Sequence, residues 1–132
     1  MYYKSKTHLY DFLYSYLEFN EFEAILPEYF TSVYKQALNI LLEKSLDYLK
    51  EKKVGKEQTE FFIITMSLEC LYRVLVDFPL DKDIYPRLLL LLDDTVHNVE
   101  DTYSTFAAET PSFYKYLNEV FEFLECKRPP VC

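Results

Sequence analysis

Residues 57–77 carry the strongest structural signal in this chain, and they read EQTEFFIITMSLECLYRVLVD. A helix drawn through this stretch has apolar side chains on almost every side, which is typical of a central helix. It is predicted to end before Pro79, because the residue that precedes a proline avoids the helical conformation. Glu69 and Arg73 are expected to form an ion pair four residues apart. A membrane span rarely holds two such charges, so a buried helix is predicted instead.

The segments on either side of this stretch also carry helical signals. Apolar residues recur at the spacing of an amphipathic helix in residues 7–19, 27–53, 84–107 and 111–126. Pro111 suits the first position of the last helix. Gly55, the only glycine, is predicted to cap the helix that ends near Lys53 in a left-handed conformation. The sequence therefore predicts an all-α fold, a bundle of four to five helices around the helix at 57–77, with mostly antiparallel neighbours.

The length and composition of the chain exclude several functions. Its 132 residues predict a single helical domain at 1–132, with an irregular tail at 127–132. One glycine cannot build a phosphate-binding loop, which needs several. The 14 Lys and Arg residues against 22 Asp and Glu residues give a formal net charge of -8. We therefore expect no nucleic-acid partner, because that affinity depends on clustered Lys and Arg side chains.

The cellular setting is inferred from the N-terminus and from the three cysteines. Residues 1–6 read MYYKSK and lack the apolar segment of a signal peptide. Cys70 lies in the apolar stretch and is predicted to be a buried thiol. Cys126 and Cys132 flank a proline-containing segment, and a disulfide between them stays an open alternative. These features favour a reducing, intracellular compartment, so we expect a cytoplasmic protein with no membrane partner.

Two histidines each have an acidic residue three positions away, which is a ligand spacing of di-metal helical bundles. The pairs are His8 with Asp11 and Asp94 with His97. Those bundles use inward-facing Glu residues, whereas these pairs are predicted to face away from the apolar stripes. We interpret them, and Asp93 beside Asp94, as solvated polar residues. We therefore expect no metal site, no cofactor and no catalytic residue.

Aromatic residues are the most unusual feature of the composition, with 13 tyrosines and 11 phenylalanines. Tyrosine is enriched at interfaces because its ring packs while its hydroxyl stays hydrated. Five aromatic residues lie away from or beside the apolar stripes of the first and last predicted helices and form the candidate interface: Tyr10, Tyr14, Tyr114, Tyr116 and Phe123. The alternative is that such rings pack at the rim of the core. Arg73 is a second candidate, as an anchor for an anion or a partner carboxylate.

These features favour a small, acidic, non-catalytic protein that acts through protein–protein contacts. We expect self-association, as a homodimer or higher, built on the first and last predicted helices. One alternative is a structural subunit of a larger assembly, such as a virion component, which would use the same aromatic faces repetitively. A second alternative is a metal-binding or enzymatic helical bundle that uses His8, Asp11, Asp94 and His97.

Overall fold

A computed structural model describes residues 5–127, and this part of the chain is helical without any strand. Its seven helices are α1 (Lys6–Tyr16), α2 (Phe19–Ile25), α3 (Glu28–Lys52), α4 (Lys56–Asp77), α5 (Ile84–Thr102), α6 (Ser104–Glu109) and α7 (Pro111–Cys126). The predicted all-α bundle is confirmed. Most of the predicted tail at 127–132 lies outside the described residues.

The first predicted helix ends slightly earlier than expected, and the helix predicted at 84–107 is interrupted. Glu18 adopts a left-handed conformation, with φ 53° and ψ 51°, so α1 ends at Tyr16 and the short helix α2 begins at Phe19. Tyr103, with φ -120° and ψ 36°, separates α5 from α6 inside the segment predicted as one helix at 84–107. Both breaks occur without a glycine or proline, which are the residues that normally announce them in a sequence.

Helix α4 packs against α3 on one side and α7 on another, and it also contacts α1. Helix α3 runs antiparallel to α4, because Tyr48 near the end of α3 stacks on Phe62 near the start of α4. At the other end of the pair, the Tyr29 hydroxyl donates to the Pro79 carbonyl oxygen over 2.7 Å. Helix α4, predicted at 57–77, has more buried residues than any other helix within residues 5–127, although its Val76 is 49% exposed.

Helix α7 runs parallel to α4. The Phe113 and Phe61 rings meet near the start of both helices, with centroids 5.0 Å apart. The Phe123 and Tyr72 rings meet near their ends, at 6.2 Å. Because α5 contacts α7 and α2, the bundle closes around an interior space between α2, α3, α4, α5 and α7.

Buried apolar side chains form two clusters along the bundle. The first joins α1, the second half of α3, the first half of α4 and the start of α7, and it includes the fully buried Leu13, Leu42 and Phe113. The second joins the start of α3, the second half of α4, the first half of α5 and the end of α7, and it includes Phe30 and Leu88. Burial of this surface is the main stabilising contribution to the fold.

The prediction that Gly55 caps the end of α3 in a left-handed conformation is wrong. The left-handed residue after α3 is Lys53, with φ 53° and ψ 49°, whereas Gly55 precedes α4 with φ -69° and ψ 169°. Gly55 is therefore the N-cap of α4, where an extended backbone is normal and where no side chain caps the first turn. The Gly55 carbonyl oxygen accepts from the Thr59 amide at 2.9 Å.

This assignment predicts that glycine is better placed at position 53 than at position 55. Gly55→Ser is expected to raise the free energy of unfolding by about 0.5–1 kcal/mol, because serine can accept from the first turn and restricts the unfolded chain. A Cβ atom at Gly55 has no neighbouring atom within 4 Å, so the substitution fits.

Lys53→Gly is expected to stabilise by about 0.5–1 kcal/mol, because glycine adopts φ 53° without steric cost. Urea unfolding measures both; a loss of stability in Gly55→Ser would contradict the N-cap assignment.

Candidate functional site

Tyr10 and Tyr14, the candidate interface residues of α1, are half-buried at the rim of the core. Their ring centroids are 5.9 Å apart. The Tyr14 hydroxyl donates to Asn20 Oδ1 over 2.7 Å, and the Lys35 ammonium lies 5.5 Å from the Tyr14 ring centroid. Burial raises the pKa of Tyr10 above its ordinary value. Tyr14 thus contacts α2 and α3 in addition to Tyr10.

The candidate interface residues of α7 differ in their exposure. Tyr114 is 37% exposed, and its hydroxyl lies 3.4 Å from Glu100 Oε2. Tyr116 and Phe123 are half-buried, and the Phe123 ring packs edge-on against Tyr72. Only Tyr114 of the five predicted interface residues therefore counts as exposed.

The structure does not pack the two groups of candidate residues against each other. Helix α1 packs mainly on α2, α3 and α4, whereas α7 packs mainly on α4, α5 and α6. Helices α1 and α7 share no extensive contact within the described part of the chain. Self-association through the surfaces of these two helices stays a prediction.

Arg73 forms the ion pair that the sequence predicts. Its guanidinium Nη2 lies 2.6 Å from Glu69 Oε1, and the Arg73 side chain is 73% exposed. An exposed i,i+4 pair of this kind contributes about 0.3–0.5 kcal/mol to helix stability. A role of Arg73 as an anchor for an anion or a partner carboxylate stays a prediction.

The structure places the His97 side chain against the residue four positions earlier in α5 and not against the residue three positions earlier. His97 Nδ1 lies 2.8 Å from the carbonyl oxygen of Asp93 and 3.8 Å from its carboxylate, so its partner is Asp93 and not Asp94. This contact with the Asp93 carbonyl, helped by the carboxylate, raises the pKa of His97. The His8 amide donates to the N-cap Ser5 hydroxyl over 3.2 Å. Among residues 5–127, no group of three or more His, Cys, Asp or Glu side chains could hold a metal ion.

The described cysteines occupy contrasting environments. Cys70 is buried, as predicted, and burial raises the pKa of its thiol to about 11. The thiolate is the reactive form, so Cys70 is expected to be chemically inert in the folded protein. Cys126 is exposed at the end of α7. Its predicted alternative partner, Cys132, lies outside the described residues.

The sequence analysis placed no interface where α3 meets α4, where one exposed aromatic residue lies beside three half-buried apolar residues. Tyr48 is 48% exposed and stacks on half-buried Phe62, with ring centroids 5.5 Å apart and an interplanar angle of 17°. Leu41, seven residues before Tyr48, lies on the same side of α3, and Met66 lies one turn after Phe62 on α4. Both are half-buried. We refer to Leu41, Tyr48, Phe62 and Met66 as the α3–α4 strip.

The charges around the α3–α4 strip differ from those of the whole chain. Residues 43–57 carry five lysines and four acidic residues, all exposed, in a chain of formal net charge -8. The ammonium group of Lys52 lies 5.8 Å from the Tyr48 ring centroid, within the range of a cation–π contact. The strip therefore lies beside a surface that is close to neutral.

Comparisons with protein-family models, with curated proteins and with solved structures find no match to this chain. None of the helices within residues 5–127 combines the length and the apolar character that crossing a membrane requires. The candidate function therefore rests on the side chains and surfaces described above.

Proposed function

We propose that this chain is a small, non-catalytic cytoplasmic protein that acts through protein–protein contacts and associates with a second copy through the α3–α4 strip. The observation that carries the proposal is the stacked Tyr48–Phe62 pair on the outer seam between two long helices. Tyrosine is among the residue types that dominate the binding free energy at protein interfaces. The proposal retains the predicted homodimer but places its interface on α3 and α4 instead of on α1 and α7.

The exposure pattern supports a second copy as the occupant of the strip. A twofold interface places the same patch of both copies together, so an apolar seam of two helices covers its own equivalent. The strip would form the apolar centre of such an interface, and the surrounding Lys and Glu residues would form its polar rim. The near-neutral charge of residues 43–57 limits repulsion between two copies of a chain with net charge -8.

The proposal is tested by Tyr48→Lys, with Leu90→Lys as its matched control. Leu90 is 70% exposed on α5, outside the strip, so both variants place a lysine at an exposed apolar position. Tyr48→Lys is expected to weaken self-association at least tenfold, because it removes the central ring and places two like charges opposite each other. Leu90→Lys is expected to leave it unchanged. Light scattering after size-exclusion chromatography measures both effects.

Two outcomes would contradict the proposal. A wild-type chain that stays monomeric at high concentration excludes self-association altogether. A dimer that Tyr48→Lys leaves intact excludes the α3–α4 strip as its interface. Growth beyond a dimer with rising concentration would instead favour the structural-subunit alternative, because an open interface allows continued addition of copies.

A further inference from the structure

Exposed apolar side chains lie together at the end of the bundle where α3 begins and α4 ends. Tyr29 is 52% exposed, Val76 is 49% exposed, and Pro79 is exposed in the loop after α4. The Tyr29 hydroxyl donates to the Pro79 carbonyl oxygen over 2.7 Å, which joins the start of α3 to this loop. Half-buried Tyr72 lies one turn before Val76 on the same side of α4. We refer to Tyr29, Tyr72, Val76 and Pro79 as the end patch.

Helix α7 ends beside the end patch. The Phe123 ring packs edge-on against Tyr72, with ring centroids 6.2 Å apart, and α7 runs parallel to α4. Lys127, at the C-cap of α7, places its ammonium group 5.5 Å from the Phe123 ring centroid. Since Lys127 follows Phe123 by one turn and Val76 follows Tyr72 by one turn, the two residues lie at a similar level of the bundle. Packed helices are about 8–10 Å apart, so the chain leaves α7 roughly that far from α4.

The five residues that follow the described part of the chain have a length and a composition that suit this patch. Residues 128–132 read RPPVC, so two prolines and a valine make most of the segment apolar. Five extended residues span at most about 17 Å, which exceeds the separation of neighbouring helices. The fixed φ angle of proline leaves less conformational freedom to lose on binding. The segment is therefore long enough to reach Val76 and apolar enough to cover it.

The charges of this segment and of the rim of the end patch have opposite signs. Residues 77–83 carry three acidic side chains and one lysine, all exposed. The carbonyl groups at the end of α4 add partial negative charge at the same place. On α4 itself, the guanidinium of Arg73 is paired with Glu69. Two consecutive cations, Lys127 and Arg128, begin the segment and complement this acidic rim.

We propose that residues 128–132 dock on the end patch of their own chain, with the prolines and the valine on the apolar side chains and Arg128 toward residues 77–83. Docking removes from water an apolar surface that the helices leave exposed. Exposed apolar patches promote contacts with other molecules, so the segment would act as a cover for this end of the bundle. The end patch lies at the opposite end of the α3–α4 pair from Tyr48 and Phe62, so its test does not depend on self-association.

Disulfide trapping in a glutathione redox buffer tests this docking. In a Cys126→Ser chain, Val76→Cys is expected to form an intramolecular disulfide with Cys132, because docking raises the effective concentration of the two thiols. Leu90→Cys is the matched control, since Leu90 is 70% exposed on α5, which also contacts α7. The ratio of disulfide to dithiol is expected to be at least tenfold higher for Val76→Cys than for Leu90→Cys. Mass spectrometry of proteolytic peptides measures both ratios.

A further substitution separates docking from the mere tethering of the segment to α7. Val131→Ser removes an apolar side chain without changing the length or the charge of the segment. It is expected to lower the disulfide ratio of Val76→Cys at least fivefold and to leave that of Leu90→Cys unchanged. In the unsubstituted chain, nuclear Overhauser contacts between the methyl groups of Val131 and Val76 are expected. This measurement does not depend on the folding of any variant.

Equal disulfide ratios for Val76→Cys and Leu90→Cys would overturn the proposal. A Val76→Cys ratio that Val131→Ser leaves unchanged would show that the segment is only tethered, which also overturns it. A disulfide that joins two chains would assign the end patch to the segment of a second copy and would contradict docking within one chain. Absence of contacts between the Val131 and Val76 methyl groups would likewise exclude the proposed docking.

Discussion

Phe113→Ala is expected to lower the free energy of unfolding by about 3–5 kcal/mol, which is the usual cost of deleting a fully buried phenylalanine ring. Phe113 is 0% exposed and packs on Phe61, with ring centroids 5.0 Å apart. It thereby holds the start of α7 against α4. Because domains of this size have a stability of about 5–15 kcal/mol, the substitution is expected to remove a large fraction of the total.

Urea unfolding followed by circular dichroism measures this loss. Phe113→Leu is the control, because it keeps most of the apolar volume and is expected to cost about 1–1.5 kcal/mol. A loss of less than about 1 kcal/mol in Phe113→Ala would show that the ring is not part of the core, since surface substitutions rarely exceed 0.5 kcal/mol.

Tyr103→Phe is expected to cost about 1.5–3 kcal/mol, the range for a hydrogen bond to a charged group. The Tyr103 hydroxyl donates to Glu60 Oε1 over 3.0 Å, and the two residues are 5% and 7% exposed. The break between α5 and α6 occurs at Tyr103 itself. The substitution removes a donor from a buried carboxylate and loosens the contact between this break and the start of α4.

Tyr114→Phe is the matched control for Tyr103→Phe, because it deletes the same hydroxyl from a second tyrosine–glutamate contact. That contact, between Tyr114 and Glu100, is exposed and 3.4 Å long. Its loss is expected to change stability by less than about 0.5 kcal/mol. Equal effects of the two substitutions in urea unfolding would contradict the buried hydrogen bond. A double-mutant cycle with Glu60→Gln isolates the coupling between the two side chains.

The helices could be predicted from the sequence because their signals are local. Residues 57–77 have apolar residues on almost every side, and the structure places α4 at Lys56–Asp77. Pro111 marks the start of α7 correctly. The end of the first helix was predicted close to its observed position at Tyr16. The break at Tyr103 was missed because no glycine or proline marks it.

The candidate site was harder to predict, because it depends on contacts between helices far apart in sequence. The surplus of tyrosines on α1 and α7 predicts an interface, and this stays a prediction, with Tyr10 and Tyr14 half-buried against the core. The stack of Tyr48 on Phe62 needs the antiparallel pairing of α3 and α4. Periodicity within one helix does not specify that pairing. The end patch needs the start of α3 beside the end of α4, so no single segment indicates it.

Sedimentation equilibrium of the full chain over a wide range of concentrations tests the proposed self-association. We predict that the average mass rises from 15.9 kDa toward twice that value and stops there. We also predict that the Tyr48→Lys chain stays near 15.9 kDa over the same range. A wild-type mass of 15.9 kDa at every concentration, or equal masses for the two chains, would contradict association through the α3–α4 strip.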